Sequence, residues 1–411
     1  MPDDGGAPHG PGADAASRGH AKPQEGLECI SLVKGGPLDT VMGRVGLLAP
    51  DGLPKHYAGA VFAALLWLPL AVLSTFHDSV GHMKYGGSFF ADFGVYARFL
   101  IAPLFLVGMA RQVDKRLGRL IASFTESEIV PASSRPDFEG LVRRADRRGA
   151  SGLAALLMLF VALGMAAAST LHAAHAEPGS WLAPGRLVPG PLSPAGWWHL
   201  SLSLPIFLFL SLRWLWRLAV WTAFLAGVSR LRLDLVATHP DRLGGLGFLS
   251  LFPFMFIPLA FTLSLVMASQ ALLEVVFNNA AFETFRAAAA AWIVLVVAMF
   301  VGPLTAFSWP LIRLREKRLV EYGEIVTRLA RDVERGVRSD QEPDGEAALA
   351  KVSTVINMGQ GWASINSLGF VPVKSWALVP LVLVSAIPMF AVAAVKVPVA
   401  ELLERFLKAL T

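Results

Sequence analysis

Seven stretches of the sequence are apolar and long enough to cross the roughly 30 Å hydrocarbon core of a bilayer. A chain that crosses lipid must satisfy its backbone polar groups internally, so each stretch is predicted to form a helix. The sequence therefore predicts an all-α, multi-pass transmembrane helical bundle with cytoplasmic helical extensions. The stretches are 57–76, 93–110, 152–171, 199–226, 248–273, 287–311 and 376–396.

The composition agrees with burial in lipid and argues against a soluble protein. Hydrophobic residues make up 54% of the chain and charged residues 16%, whereas about a quarter of the residues of a soluble domain are charged. The net charge of +5 comes from Lys and Arg beside the apolar stretches, so we interpret it as a determinant of membrane orientation and expect no nucleic-acid partner. The single cysteine, Cys29, excludes an intramolecular disulfide and a cysteine-based metal site.

The distribution of Lys and Arg predicts which segments stay in the cytoplasm, because short translocated loops lack positive charge. Residues 111–150 hold nine Lys and Arg and residues 313–374 hold ten, whereas 77–92, 172–198 and 274–286 hold one each. The first twenty residues lack the basic and apolar regions of a cleavable signal peptide. We expect a protein of the plasma (inner) membrane, embedded in the lipid bilayer with its N-terminus in the cytoplasm.

The polarity of the chain divides it into four regions. Residues 1–50 are rich in Gly, Pro, Ala and Asp and are expected to form a disordered tail. Residues 51–312 form the transmembrane region with six spans, including the cytoplasmic helical insert 111–150. Residues 313–374 are expected to be a cytoplasmic or interfacial helical region, and 375–411 to hold the last span and an amphipathic C-terminal helix.

One uncharged stretch, 352–373, leaves the side of the C-terminus open. Its Asn, Gln, Ser and Gly residues make it a poor span, so we expect it to lie on the membrane or to re-enter it. In that case the C-terminus lies outside. The alternative is that the stretch crosses the bilayer and moves the C-terminus to the cytoplasm.

Apolar residues recur at helical spacing in both basic segments. Residues three and four apart share one face of a helix, so we expect the second and sixth helices to continue into the cytoplasm. Their extensions should pack together, across subunits of a homo-oligomer or against a helical partner. The two stripes are Val113, Leu117, Leu120 and Phe124, and Leu319, Tyr322, Val326, Leu329 and Val333.

Three arginines lie within the predicted spans, namely Arg98, Arg213 and Arg217. A charge inside hydrocarbon costs at least about 2.5 kcal/mol, so such a residue normally faces protein, water or a headgroup and is a candidate functional site. A guanidinium group offers a planar set of donors, so the three residues are candidates to bind an anion or a phosphate group. The alternative is that Arg213 and Arg217, which lie among tryptophans, extend to the membrane surface.

A polar loop, LRLDLVATHPDRLGGLGFL, separates the fourth and fifth stretches. A histidine and two aspartates could hold a divalent metal or act as acid and base on a phosphorylated substrate. Glycines before a helix let an anion approach backbone amides. The alternative is a turn held by aspartate side-chain capping. The candidate ligand-binding residues are Asp234, His239, Asp241, Arg242, Gly244 and Gly245.

The same loop carries a resemblance to known proteins. The tripeptide His239-Pro240-Asp241 is the signature of J-domain cochaperones, but glycines and a span follow at once and leave no room for the third helix of that domain. The longer segment HPDRLGGLGFL, with the surrounding spans, resembles a group of uncharacterised bacterial multi-pass inner-membrane proteins. The resemblance covers most of the membrane region and implies no activity, cofactor or site.

Five histidines lie on what the predicted topology makes the outer side of the membrane. Two imidazoles three residues apart on a helix could bind a transition metal, and a group of histidines could sense external pH. The alternative is that they are ordinary interfacial side chains. The candidate metal ligands are His77, His82, His172, His175 and His199.

The sequence contains no phosphate-binding P-loop, no zinc-protease motif and no serine-hydrolase motif. It identifies no cofactor and makes an enzyme the less favoured interpretation. We predict transport or channel-like passage of a small solute, with the three arginines indicating an anion. Two alternatives stay open: a membrane-interface enzyme that acts on a lipid-linked or phosphorylated substrate through His239, Asp241 and Arg242, and a membrane sensor or assembly subunit.

Overall fold

The computed structural model describes residues 34–78, 88–176, 180–183, 192–277, 282–338 and 345–395. Within these ranges the chain folds into helices joined by turns and forms no β-strand. Seven helices are long and apolar enough to span a membrane. The predicted all-α multi-pass bundle is therefore confirmed.

A short helix precedes the first span and corrects the expectation of a disordered tail over residues 1–50. Helix α1 covers Pro37–Arg44, begins with proline and buries Met42. A helix of eight residues is only marginally stable alone, so tertiary contacts must hold it in place. The rest of the predicted tail, 1–33, lies outside the described residues.

Prolines interrupt two of the predicted apolar stretches, because proline cannot donate a backbone hydrogen bond. The fifth span is preceded by two short helical pieces, Leu246–Leu251 and Phe252–Met255, and the sixth ends in a 3-10 turn, Gly302–Phe307. The longer helices are α2 Ala58–Asp78, α3 Phe93–Glu126, α4 Arg135–Gly149, α5 Gly152–Ala176, α6 Pro194–Val228, α7 Ile257–Phe277, α8 Phe282–Val301, α9 Ser308–Arg338, α10 Gly345–Asn366 and α11 Ser375–Ala394. The spans are α2, α3, α5, α6, α7, α8 and α11.

Helices α3 and α6 are longer than a bilayer is thick. They contain 34 and 35 residues, which correspond to roughly 50 Å, against roughly 30 Å of hydrocarbon. Gly59, near the start of α2, packs against Leu104 of α3. Trp216 Nε1 of α6 donates a hydrogen bond to Arg148 O, just before α5 begins. The later parts of α3 and α6 therefore lie beyond the level at which α2 and α5 begin.

These later parts of α3 and α6 form, with α4 and residues 229–256 and 302–307, a packed unit that we call the extramembrane body. Its core is aromatic: the Phe124 ring lies 5.7 Å from Phe138, 5.0 Å from Phe248 and 6.2 Å from Phe307, measured between ring centroids. The first predicted stripe, which ends at Phe124, is buried here. The later residues of the predicted fourth span, 199–226, also pack here, since Trp221 and Phe224 are buried.

The second predicted stripe is covered by another helix of the chain. Helix α9 packs along α10, and its stripe from Leu319 to Val333 is half-buried. At the base of this pair Arg315 Nη2 donates to Asn366 O at 2.9 Å, and Ile365 is fully buried. The two stripes thus have different partners within the chain, and contact with a second copy or another protein stays a prediction.

The uncharged stretch 352–373 forms the later part of α10 and a link to α11. In the link, Gly369 N donates to Arg242 O at 2.9 Å and Lys374 N donates to Ser250 Oγ at 3.1 Å. Helix α10 is not among the described helices that are apolar enough to span a membrane. The alternative in which this stretch crosses the bilayer is therefore not supported. The predicted amphipathic C-terminal helix falls largely on 396–411, outside the described residues.

Helices α2 and α3 approach each other most closely at a glycine, as small residues permit in membrane helix pairs. A β-carbon at Gly59 would lie 3.0 Å from Leu104 O and 3.1 Å from Leu104 Cα. We expect Gly59→Ala to destabilise the protein by about 1–3 kcal/mol, because the two backbones must separate. Gly108→Ala on α3, where a β-carbon meets no atom within 4 Å, should not lower the Tm in detergent, because alanine is the better helix former. Equal Tm values for the two variants would contradict the close approach.

Candidate functional site

Arg98 lies in a π-helical turn of α3, Tyr96–Ile101. A second π-helical turn, His199–Ser203, lies in α6. The centroids of the His199 and Phe99 rings are 5.4 Å apart, so the two turns meet at one level of the bundle. Such turns are rare and are frequently found at functional sites.

Polar groups converge around Arg98. Its Nε donates to Gly94 O at 3.0 Å. A β-carbon at Gly94 would lie 2.5 Å from Arg98 Nη2, 2.7 Å from Gln270 Nε2 and 3.0 Å from Asp92 Oδ1. Glycine is therefore the residue that lets these three side chains approach one another, and Asp92 supplies a negative charge near the guanidinium.

The same group of polar side chains continues towards α5 and α6. Asp92 Oδ2 accepts a hydrogen bond from Trp181 Nε1 at 3.3 Å. The His199 ring lies 5.4 Å from Trp181, and its Nδ1 is 3.2 Å from Thr170 Oγ1. His199 is 4% exposed. We call Asp92, Arg98, Thr170, Trp181, His199 and Gln270 the Arg98 cluster.

Arg213 and Arg217 form a second site, together with an acid of helix α1. Arg213 Nη2 lies 2.7 Å from both carboxylate oxygens of Asp39 and donates to Gly35 O at 3.2 Å. The side chains of the pair are 12% and 13% exposed. This ion pair is one of the tertiary contacts that hold α1, together with the burial of Met42.

Arg217 is the more deeply buried of the two arginines, at 8% exposure. Its guanidinium carbon lies 5.0 Å from the centroid of the Trp214 ring, and Asp39 and Asp114 are the carboxylates that attract it electrostatically. A cavity of about 20 Å³ borders both arginines and Asp39, which is room for about one water molecule. We call these two arginines with Asp39 and Asp114 the inner arginine site.

The structure does not bring the three candidate arginines together. Arg213 lies 14 residues after His199 on α6, which corresponds to about 21 Å along the helix. The Arg98 cluster and the inner arginine site are thus separate. Arg213 and Arg217 lie near the level at which α5 begins, and α1 covers Arg213.

Asp241 organises the polar loop between α6 and α7. Its Oδ1 accepts hydrogen bonds from Leu243 N at 2.8 Å and Gly245 N at 3.2 Å, and its Oδ2 accepts from Gly247 N at 2.8 Å. His239 Nδ1 lies 2.8 Å from Oδ1. Partial burial acts to raise the pKa of Asp241, but these hydrogen bonds outweigh it and hold the pKa below its ordinary value of 3.8.

The remaining residues of the loop serve the turn. Arg242, Gly244 and Gly245 have positive φ angles of 58°, 68° and 94°, a conformation that glycine adopts without strain. Asp234 donates its backbone N–H to Ile129 O, and its side chain is exposed. The loop thus brings His239 and Asp241 together as a capped turn, and these contacts do not favour the metal or acid–base interpretation.

The three candidate histidines whose side chains the structure describes do not form one site. His172 and His175 are exposed near the end of α5, whereas His199 is buried in the Arg98 cluster. Among the described residues no three His, Cys, Asp or Glu side chains lie close enough to hold a metal ion. The side chain of His77 and the whole of His82 lie outside the described residues.

Sequence reasoning missed the acid of the inner arginine site. Asp39 lies 174 positions before Arg213, and no local pattern connects them. A proline followed by an acid in the next two positions is a helix-start signal, and Pro37 with Asp39 gives that signal. It could have identified α1, although not the residue that α1 contacts.

No family model, curated protein or solved structure matches this chain. The fold and the spans therefore define its class, which is that of the multi-pass α-helical membrane proteins.

Proposed function

We propose that the protein transports a small anion across the membrane, with the Arg98 cluster and the inner arginine site as its two binding stations. One observation carries the proposal: the inner site already holds a carboxylate, with both oxygens of Asp39 at 2.7 Å from Arg213 Nη2. Asp39 belongs to a helix of only eight residues, which is marginally stable by itself. Its carboxylate is therefore a displaceable substitute for a bound anion.

The position of the two stations supports the same proposal. Both lie between α3 and α6, since Trp214 Nε1 of α6 donates to Leu106 O of α3 beside the inner site. The cavity beside the inner arginine site has a volume of about 20 Å³, which is too small for a continuous path. The described conformation is therefore a closed one in this proposal.

The proposal includes an orientation and a location. On the pattern of Lys and Arg we place the N-terminus and the extramembrane body in the cytoplasm. The inner arginine site then lies near the cytoplasmic surface and the Arg98 cluster in the outer half of the plasma (inner) membrane. We retain the resemblance of HPDRLGGLGFL to uncharacterised bacterial inner-membrane proteins as part of this proposal.

Flux through liposomes tests the proposal. The full chain, reconstituted at fixed density, should accelerate the exchange of chloride, acetate or inorganic phosphate above the rate of empty liposomes. We expect Arg98→Gln and Arg217→Gln each to reduce that flux at least about tenfold, because a charge-assisted hydrogen bond contributes about 1.5–3 kcal/mol and about 1.4 kcal/mol is a factor of ten.

Arg331→Gln is the matched control, because Arg331 is an exposed arginine on α9 far from both stations. It removes the same charge and should leave the flux unchanged. Gel filtration and circular dichroism verify that each variant is folded. Wild-type protein that carries none of the three anions, or folded Arg98→Gln and Arg217→Gln variants with wild-type flux, would contradict the proposal.

A further inference from the structure

A cleft opens on the extramembrane body between the chain that leaves α6 and the first turns of α9. It has a volume of about 550 Å³ and is bordered by residues 229–235 on one side and 309–318 on the other. Small-molecule sites in proteins are commonly clefts of about 300–1,000 Å³. The cleft is separate from both arginine stations, because none of their residues lines it.

The charge of the cleft is strongly positive. Four cationic side chains line it, namely Arg230, Arg313, Lys317 and Arg318, and Asp234 is the one lining acid. Outside the lining, Glu321 lies 2.9 Å from Arg318 Nη1 and 3.9 Å from Lys317 Nζ. Its carboxylate therefore pairs with Arg318 and Lys317. In the part of the chain that the structure describes, Arg230 and Arg313 form no ion pair. Positive charges gathered in this way repel one another, and an anion between them removes that repulsion.

The lining also has an aromatic and an apolar part. The Trp309 side chain is 60% exposed, and the Arg313 guanidinium carbon lies 4.7 Å from its ring centroid. Contact with the ring fixes the position of the guanidinium at the edge of the cleft. Leu231 and Leu233 supply apolar surface on the opposite side. A ligand that fits carries an anionic group joined to a less polar portion.

We propose that this cleft binds a phosphate-bearing ligand, with Arg230 and Arg313 as the principal contacts of the phosphate. Guanidinium groups donate two hydrogen bonds side by side to phosphate oxygens, and an ammonium group such as that of Lys317 adds a third cation. Asp234 faces the same volume and accepts hydrogen bonds from a hydroxyl or amino group of the ligand. The phosphate belongs either to an anionic lipid headgroup or to a soluble phosphorylated molecule.

Binding to the full chain in a neutral detergent distinguishes the two sources. Isothermal titration with inorganic pyrophosphate represents the soluble source, and titration with dihexanoyl phosphatidylglycerol represents the lipid headgroup. Dihexanoyl phosphatidylcholine is the zwitterionic control, because its quaternary ammonium group offsets the charge of its phosphate. We expect saturable binding of at least one of the two anionic compounds and clearly weaker binding of phosphatidylcholine. Binding of phosphatidylglycerol alone indicates the lipid source, and binding of pyrophosphate indicates the soluble one.

The decisive variant is Arg230→Gln/Arg313→Gln, which should raise the Kd of the bound compound at least about tenfold, since two charge-assisted contacts are lost. Arg328→Gln/Arg331→Gln removes the same charge from the exposed later part of α9 and should change the Kd less than about twofold at 0.15 M salt, where distant charges are screened. Lys317→Gln is a second cleft variant, expected to weaken binding, if the double variant does not fold. Equal losses in the cleft and control variants, no binding of either anionic compound, or equal binding of phosphatidylcholine would overturn the proposal.

Discussion

Asp241→Ala is expected to lower the free energy of unfolding by about 3–5 kcal/mol, because three backbone N–H groups lose the carboxylate that accepts their hydrogen bonds. Each buried donor left unpaired costs about 1–3 kcal/mol. The donors are the N–H groups of Leu243, Gly245 and Gly247. Without the carboxylate, the turn that directs the chain from α6 into α7 loses its internal support. The link between α10 and α11 is also affected, because Gly369 N donates to Arg242 O in the same turn. Thermal unfolding in detergent measures the change.

The matched control is Asp234→Ala. Asp234 lies on the same loop but has an exposed side chain, and exposed substitutions usually change stability by no more than about 0.5 kcal/mol. If both alanine variants have the same Tm, the hydrogen bonds of Asp241 do not hold the turn. The position of Asp234 in the cleft does not affect this comparison when the buffer contains no phosphate.

The pH dependence of stability gives a second readout of the same carboxylate. The pKa of Asp241 in the folded protein lies below its ordinary value of 3.8, so its contribution to stability is complete above about pH 5 and is lost as the pH falls through the folded pKa. Asp241→Asn lacks the charge at every pH. The Tm difference between wild type and Asp241→Asn should therefore be largest near neutral pH and should narrow below pH 4.

The number and order of the spans could be predicted because lipid burial leaves a strong local signal. Each predicted stretch contains a helix that is long and apolar enough to span a membrane, and the stripe that ends at Phe124 is buried as its spacing predicts. Residues three and four apart lie on one helical face whatever their tertiary partner is. The spacing of apolar residues and the polarity of the sequence therefore identify the helices and their buried faces. They do not identify which part of the chain covers those faces.

The end of the fourth span shows why the membrane boundary could not be predicted. Residues of α6 beyond Trp216 are as apolar as those before it, yet the ring of Trp221 lies 5.7 Å from Phe252 and is buried within the extramembrane body. A helix that is apolar on all sides is buried, but its composition does not distinguish burial by protein from burial by lipid. The cleft is lined by the residues that follow this helix, 229–235, together with residues of α9, and this pairing leaves no local pattern in the sequence.

The inner arginine site depends on contacts over long sequence distances. Arg213 and Arg217 are visible as charges in an apolar run, but the acids that compensate them lie on α1 and α3. Without these acids an arginine pair in a helix predicts a free anion site or a side chain extended to the surface. With these acids included, the site is a network of ion pairs. Asp39 lies on α1, and this short helix depends on its contact with Arg213 for its own stability.

A double-mutant cycle on Asp39 and Arg213 should show strong coupling. Removing one partner of a buried ion pair costs about 3–5 kcal/mol, whereas replacing both with apolar residues is often close to neutral. We therefore expect Asp39→Leu and Arg213→Met each to lower the Tm in detergent strongly, and Asp39→Leu/Arg213→Met to recover most of the loss. Arg217 retains Asp114 as an electrostatic partner in all three variants. Additive losses in the double variant would show that the pair does not attach α1 to α6.

A second pair of variants tests whether the position of Asp39 accepts an external anion. Asp39→Ala leaves a volume of one carboxylate facing Arg213, so added acetate should bind there. The Tm of this variant should then rise with the acetate concentration. At an acetate concentration of one hundred times Kd, the stabilisation should be about 2.7 kcal/mol. Asp39→Ala/Arg213→Met offers the same volume without the guanidinium and should not respond beyond the effect of an equal concentration of chloride on wild type. A site that transports anions must exchange the internal carboxylate for a free one, so Asp39→Ala in liposomes should also carry acetate faster than wild type. If Asp39→Ala shows neither the acetate response nor the faster flux, Asp39 is only a structural contact. The inner arginine site would then not bind the transported anion.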